Sequence, residues 1–331
     1  MNKIRVAVIG VGHLGRFHAQ KFASFPEVEL KGVVDVIPER ALEVARACGT
    51  KAYFDYQEVL PLVDAVSVVV PTVHHFEVTK HALEAGCHVF VEKPLASTPR
   101  EARELVKLAR RFGLILQVGH IERFNPAIKK LLAEVKEPIF IEAQRVSRFS
   151  PRCLDVDVIL DLMIHDLDLV LTITRGKVVE LQATGAPVVT DKIDLASVRL
   201  KLEDGVVANL TASRIALKPA RCFRVYQAGT YLAADTLEST FIKVHLAEGE
   251  LSQGPSPAPE RFTGADPLRE ELKAFIRAIK RKEFPPVSGE DGFEALELAF
   301  RIKKEIDRQK ASFLAREGSC LPDLMRHCVS S

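Results

Sequence analysis

Charge of one sign is what this chain most plainly lacks. Its 46 Lys and Arg stand against 44 Asp and Glu, a formal net charge of +2. That gives no electrostatic case for nucleic acid or for an anionic membrane. The longest basic cluster, Arg277 to Lys282, lies on an amphipathic helical pattern and reads as its solvated face. No apolar run reaches the length that spans a bilayer, and the N-terminus enters a strand at once, so no signal peptide is expected. The cysteines (48, 87, 153, 222, 320 and 328) have no close pairs. That fits reduced cytoplasmic thiols better than a disulfide framework or a zinc site. There is no internal repeat or low-complexity tract, and the one loop-rich stretch runs from Gly249 to Pro267. What remains is an ordinary globular composition, 47% hydrophobic and 27% charged, with room for two domains in 331 residues.

The stretch Val89-Phe90-Val91-Glu92-Lys93-Pro94 organises the rest. A short continuous apolar run is the pattern of a buried parallel strand, and this one stops in a carboxylate, an ammonium and a proline. Ligands of α/β sheets bind beyond the C-terminal strand ends, which places Lys93 where chemistry happens. Alone, it reads equally as a surface lysine at a strand end. The Lys93-Pro94 bond is open to the cis form.

Ile4 to Ile9 is a strand pattern running into Gly10-Val11-Gly12-His13-Leu14-Gly15 and then a helix pattern through Phe25. This is G-x-G-x-x-G in the context it requires. Gly10 permits the turn, Gly12 admits a pyrophosphate, and Gly15 lets helix and strand pack. Phosphates would face the free N–H groups of the helix start. His13 approaches the cofactor from the same turn, while His18 reads as structural. A second strand, Val28 to Val34, ends in Asp35, at the spacing of a carboxylate that binds the adenosine ribose. An anion there repels a 2′-phosphate, and no Arg follows, so the cofactor is read as NAD. Helix and strand patterns then alternate: Pro38–Ala47, Ala65–Val70, Val73–Ala85, Pro99–Phe112 and Leu114–Val118. That alternation is a doubly wound parallel sheet. Its strand ends (Gly10, Asp35, Val70-Pro71-Thr72, Glu92-Lys93 and Gly119-His120) should line one crevice, with His74-His75 capping the next helix beside it.

The pattern changes in the second half. A helix is expected to about Val135, then a strand over Pro138 to Val146, then an irregular stretch with Arg148 and Arg152. Asp161 to Val170 reads as a helix. Successive strands follow from Lys177 to about Leu246, the clearest hairpin pairing Ala196–Leu202 with Val206–Ser213. Helices return at Pro267–Lys282 and Glu290–Gln309. The expected fold is α/β, a Rossmann sheet plus an α+β domain with a large, mostly antiparallel, open-faced sheet.

Asp161 and His165 are four apart and on a helix share a face. A carboxylate beside an imidazole raises its basicity, as a general base needs. Next to NAD such a base takes a hydroxyl proton while carbon delivers hydride, and Lys93 is placed to stabilise the alkoxide. The plainer reading makes Asp166 and Asp168 surface charges and His165 a buried, satisfied ring. The apolar residues around them make unused polar groups costly. His74, His75, His120 and His165 could converge on a metal, but without suitably spaced cysteines no metal is expected.

These segments together make the sequence resemble the Gfo/Idh/MocA oxidoreductases (glucose–fructose oxidoreductase, inositol dehydrogenase). The carriers are Gly10 to Gly15, Pro71-Thr72-Val73-His74-His75, Ala85 to Pro94, Asp161 with His165, Asp266 to Leu272, and Pro286 to Gly292. The resemblance implies that Lys93 and His165 act at the reacting hydroxyl with Asp161 assisting. It also implies an open sheet face used for homodimers or homotetramers. Gly119 to Pro126 and Asp155 to Asp168 are similar to bacterial UDP-N-acetylglucosamine 3-dehydrogenases, which make a 3-keto sugar for transamination in lipid A synthesis. That implies a sugar-nucleotide substrate near His120 and Asn125, an aminotransferase as functional partner, and cations for the diphosphate. Arg123, Arg148 and Arg152 are candidates, or equally interface residues. The expected division is 1–122 for NAD, 123–315 for substrate and oligomerisation, and a loosely held 316–331. The alternatives are a dehydrogenase of a free polyol such as myo-inositol, and a non-catalytic NAD sensor.

Overall fold

The computed structural model describes residues 3–150, 156–174, 176–245 and 258–316. Six short strands come first: β1 (Ile4–Ile9), β2 (Val28–Val34), β3 (Lys51–Tyr53), β4 (Ala65–Val68), β5 (His88–Glu92) and β6 (Leu116–Gly119). All pair in parallel, in the order β3-β2-β1-β4-β5-β6. Val6, Ala7 and Val8 of β1 and Val89, Phe90 and Val91 of β5 are fully buried, because helices cover both sheet faces. Those helices are α1 (Gly15–Ala23), α2 (Pro38–Cys48), α3 (His75–Glu84) and α4 (Pro99–Phe112). The chain marks the bounds of α4 clearly. Thr98 and Glu101 form a reciprocal capping box, Pro99 opens the helix, and Gly113 closes it in the left-handed conformation. Strand order reverses between β1 and β4, where an open α/β sheet leaves a crevice at its C-terminal edge.

After β6 a tight turn, Ile121–Phe124, leads into α5 (Pro126–Glu134). A second sheet follows: β7 (Pro138–Val146), β8 (Val178–Ala186), β9 (Leu195–Leu202), β10 (Val207–Ser213), β11 (Ala220–Gln227), β12 (Thr230–Asp235), β13 (Thr240–His245) and β14 (Glu260–Arg261). Their order is β14-β13-β12-β11-β7-β10-β9-β8. Every pairing is antiparallel except β7 with β10. β9 shows the two-residue period directly: Ala196, Val198, Leu200 and Leu202 are buried while the residues between them are exposed. The buried face packs on α6 (Ile164–Thr174) and α8 (Gly289–Arg316). The other face carries polar side chains such as Glu142, Gln182, Ser197 and Thr211, which border a shallow groove.

The last two helices return to the first sheet. From α7 (Pro267–Arg281), Phe275 meets Phe90 of β5 edge to face, and Arg269 donates to Ser24 Oγ at 2.8 Å. From α8, Glu297 pairs with Arg103 of α4 at 2.9 Å. Among the described residues no helix is long and apolar enough to cross a membrane.

Most expected elements are present, with two instructive differences. β3 was not expected: a three-residue edge strand carries too little pattern to register. The helix expected over Asp161 to Val170 begins instead as a π-turn, Ile159–Met163, and becomes α-helical only at Ile164. Residues 249–257 of the loop-rich stretch and 317–331 of the expected tail lie outside the described residues, and the rest of that stretch includes the short strand β14.

Candidate active site

The glycine turn at the end of β1 meets its steric demands through backbone contact. Gly10 has φ +87°, and a Cβ there would sit 2.6 Å from the Val69 carbonyl oxygen. A Cβ on Gly15 would lie 1.8 Å from the Gly10 oxygen, so helix and strand approach closely only without it. At Gly12 a Cβ would meet nothing within 4 Å. That glycine leaves open space in front of the turn, as a pyrophosphate requires. No side chain caps the start of α1, and His13 and Leu14 are exposed there. Asp35 is held at the end of β2 by the Val11 N–H on Oδ2 and the Ile37 N–H on Oδ1, each at 3.0 Å. Each oxygen keeps a lone pair, so the carboxylate is pre-oriented for a diol. Turn, helix start and carboxylate therefore fit a dinucleotide.

Beside this turn, Glu92 at the end of β5 is tied back into the interior. His18 reaches it through Nε2 at 3.2 Å and meets Ser67 Oγ through Nδ1 at 3.0 Å. Burial alone would raise the Glu92 pKa, but the His18 hydrogen bond and nearby Lys93 hold it below the ordinary glutamate value. His75 was expected at the cofactor crevice with Pro71 and Thr72. Its ring is instead buried, between the carbonyls of Pro94 at 2.7 Å and Val70 at 2.9 Å. Burial lowers its pKa, so the neutral ring donates to one of these carbonyls at a time. Pro71 is exposed and Thr72 half-buried on the crevice side of this tie. The Lys93–Pro94 peptide is cis.

Lys93 leaves β5 toward the second sheet. Its ammonium donates to the main-chain oxygen of Asp161 at 2.7 Å and to the carboxylate at 3.0 Å. The expected Asp161–His165 pairing does not form: no hydrogen bond joins them among the described residues. The π segment Ile159–Met163 precedes His165, and the Asp161 carboxylate is taken up by Lys93 instead. His165 Nδ1 is enclosed without a partner among the described residues. Burial first, and then the nearby charges of Lys93 and Arg145, press the His165 pKa well below its ordinary value. These effects favour the neutral ring. His120 stacks edge to face against it, ring centres 6.1 Å apart, and neither of its nitrogens has a partner among the described residues. Its pKa is lowered by burial.

Two ion clusters lie behind these groups. Arg145 of β7 forks onto Asp166, Nη2 to Oδ1 at 2.7 Å, and donates to Glu122 Oε1 at 2.6 Å. Arg123 forks onto Asp168 at 2.6 and 2.7 Å. Asp166 and Asp168, whose plainer reading was surface charge, are thus buried partners of arginines. Arg123, expected at a diphosphate, is engaged by Asp168 and the Pro286 carbonyl. Asn125, expected near substrate, caps α5 by accepting from the Ala127 N–H at 3.0 Å. Arg148 is exposed and gives Nε to the Leu217 carbonyl at 3.0 Å. Arg152 lies outside the described residues. Sequence reading missed Arg145, Glu122 and a buried acid, Glu271 of α7, neither of whose oxygens has a partner among the described residues. Burial, and then Glu92 and Asp168, push the Glu271 pKa well above the ordinary range. The usable signal was a lone carboxylate on the apolar stripe of α7, beside Leu272 and Phe275. No cluster of metal-binding side chains occurs among the described residues.

Residues 4–120 match the family model described as an oxidoreductase family with an NAD-binding Rossmann fold, and 134–230 match the GFO/IDH/MocA C-terminal domain. The chain is 41% identical to a UDP-N-acetylglucosamine 3-dehydrogenase of Acidithiobacillus ferrooxidans, over 93% of this chain and 98% of that protein. A solved structure of the UDP-N-acetylglucosamine 3-dehydrogenase from that organism superposes with a TM-score of 0.85 at 39% identity, covering 93% of this chain and 99% of that one. A myo-inositol 2-dehydrogenase of Thermotoga maritima is 30% identical over 93% of this chain and 98% of that protein. The uncapped helix start, the open glycine turn and Asp35 lie within the matched NAD-binding Rossmann domain of an oxidoreductase, and the chain belongs to the Gfo/Idh/MocA family.

Proposed function

We propose that this enzyme oxidises the C3 hydroxyl of UDP-N-acetylglucosamine to a ketone with NAD. The observation that carries the reading is the Lys93 ammonium at the end of β5 resting on Asp161, with the neutral His165 four residues further along the same helical segment. The likeness to a UDP-N-acetylglucosamine 3-dehydrogenase across nearly the whole chain supports the choice of substrate. Residues 1–122 hold the cofactor, with Gly10, Gly12, Gly15 and Asp35 as its main contacts. Residues 123–315 bind the sugar and pair with a second copy through the polar sheet face. Residues 316–331 form a tail.

Bound NAD supplies the hydride acceptor. His165 accepts the hydroxyl proton, for which an uncharged ring is required. An ammonium has three N–H groups. Two of those on Lys93 rest on Asp161, and the third meets the substrate oxygen as charge develops on it. His120 shields the far side of His165 from water. The 3-keto product then feeds a cytoplasmic aminotransferase, in a pathway of the lipid A type.

The test is a panel of sugar nucleotides and polyols, followed by NADH absorbance. Reduction with UDP-N-acetylglucosamine and none with myo-inositol is the expected outcome. The reverse would establish the second reading, a polyol dehydrogenase, which the likeness to the Thermotoga enzyme favours.

A further inference from the structure

One cation near His165 has no counterpart in the ion clusters described above. β11 runs antiparallel to β7, and in that register Arg221 stands directly opposite Arg145. Residues directly opposite in an antiparallel pair project from the same sheet face. The period within β11 agrees: Phe223 and Val225 are buried, and Arg221 shares their parity. Arg221 therefore lies on the helix-facing side of the sheet, not on its open polar face. It is nevertheless exposed, near the start of β11.

Like charges directly opposite across a strand pair are unfavourable unless something compensates them. Arg145 is compensated by Glu122 and Asp166, and these carboxylates are taken up by it. Arg221 makes no ion pair and no side-chain hydrogen bond among the described residues. It shares the helix-facing side of the sheet with Arg145, whose partner Asp166 directly follows His165 on α6, and the Arg221 charge is felt by both His165 and Asp166. Arg123 is occupied by Asp168, and Arg148 donates its Nε to a main-chain oxygen. A guanidinium with a free fork, held on the inner face of a sheet and open to solvent beside the catalytic base, is suited to a phosphate.

We propose that Arg221 receives the diphosphate of the nucleotide-sugar substrate and thereby makes the site select charged over free sugars. This rests on the nucleotide-sugar reading and names the residue that enforces it. A free polyol carries no anion for this fork, so the assignment also separates the two readings.

The experiment uses the full chain saturated with NAD, titrated calorimetrically with UDP and with uridine, together with steady-state kinetics. Wild type should bind UDP but not uridine, and UDP should compete with the sugar nucleotide. Arg221→Ala should weaken UDP binding and raise KM by about 10- to 100-fold, the span of a charged hydrogen-bonded contact, with kcat and NAD affinity little changed. Arg221→Lys should recover part of the loss, since a point charge replaces the fork. Arg221→Gln, uncharged and of similar length, repeats the test if the alanine variant loses NAD binding. Equal UDP binding by wild type and variants would overturn the role of Arg221 and leave the nucleotide-sugar reading standing. Absence of UDP binding by wild type, with turnover of an uncharged polyol, would overturn both.

Discussion

The ammonium of Lys93 rests on two oxygens of one residue, the main-chain and carboxylate oxygens of Asp161, at 2.7 and 3.0 Å. A single side chain thus ties the end of β5 to the π-turn ahead of α6. Replacing it removes both the tie and the positive charge at the reacting oxygen. Lys93→Met should lower kcat by roughly 10²- to 10⁴-fold, the usual worth of such a group. NAD binding, measured by fluorescence titration, should be unchanged because no contact at the glycine turn is touched. Near-normal turnover in this variant would sink the mechanism.

In the proposed mechanism Asp161 acts through Lys93, which rests on its carboxylate. Asp161→Asn keeps the main-chain contact and loses the carboxylate, so it should cost less than Lys93→Met. In the double variant the two losses should not add. A coupling of about 0.5–3 kcal/mol in a double-mutant cycle on kcat is expected for groups in contact. Independent losses would mean that the carboxylate serves some other group.

The His165 pKa lies well below the ordinary histidine value, because burial and the neighbouring charges of Lys93, Arg145 and Arg221 disfavour its protonated form. Protonation disables a base, and a lowered pKa postpones protonation to lower pH. The acid limb of the kcat/KM profile should therefore lie below the ordinary histidine value and vanish in His165→Asn. A limb at or above that value would contradict the assignment.

Glu271 makes the stability of the protein pH-dependent with a definite sign. Its folded pKa is raised above the unfolded one. Below the unfolded value the acid is neutral in both states and costs nothing. As pH climbs from there toward the folded value, only the unfolded chain releases the proton, and stability falls by up to about 1.4 kcal/mol per pH unit. Glu271→Gln removes this slope. Its melting temperature should rise relative to wild type as the pH is taken from 4 to 8. A constant difference would mean that the acid is ionised in the folded protein.

The first sheet was readable because its signals are local. An apolar run, a glycine turn and a terminal carboxylate fall within a few residues of one another, as in Val6 to Gly15 and Val28 to Asp35. The broad division into a parallel and a mostly antiparallel sheet followed from helix and strand periods. The π-turn was not readable, since it leaves the apolar pattern from Ile159 to Leu169 almost unchanged. The arginines failed for a related reason. Arg123 and Arg145 look like any polar residue in sequence, and only the tertiary fold brings Asp168 and Asp166 to them. Asn125 directly before Pro126 was a cap signal, and the substrate expectation passed over it.

The two buried ion clusters have a mechanical consequence. Arg145 joins β7 to α6 and to Glu122, and Arg123 joins the turn after β6 to α6 again. Together they bracket the crossing between the two sheets at the helix that carries His165. Surface pairs such as Arg103–Glu297 loosen as ionic strength rises, whereas pairs shielded from water are screened far less. The span between Lys93 and His165 is therefore a stiff frame in dilute or concentrated salt, set before cofactor or sugar arrives.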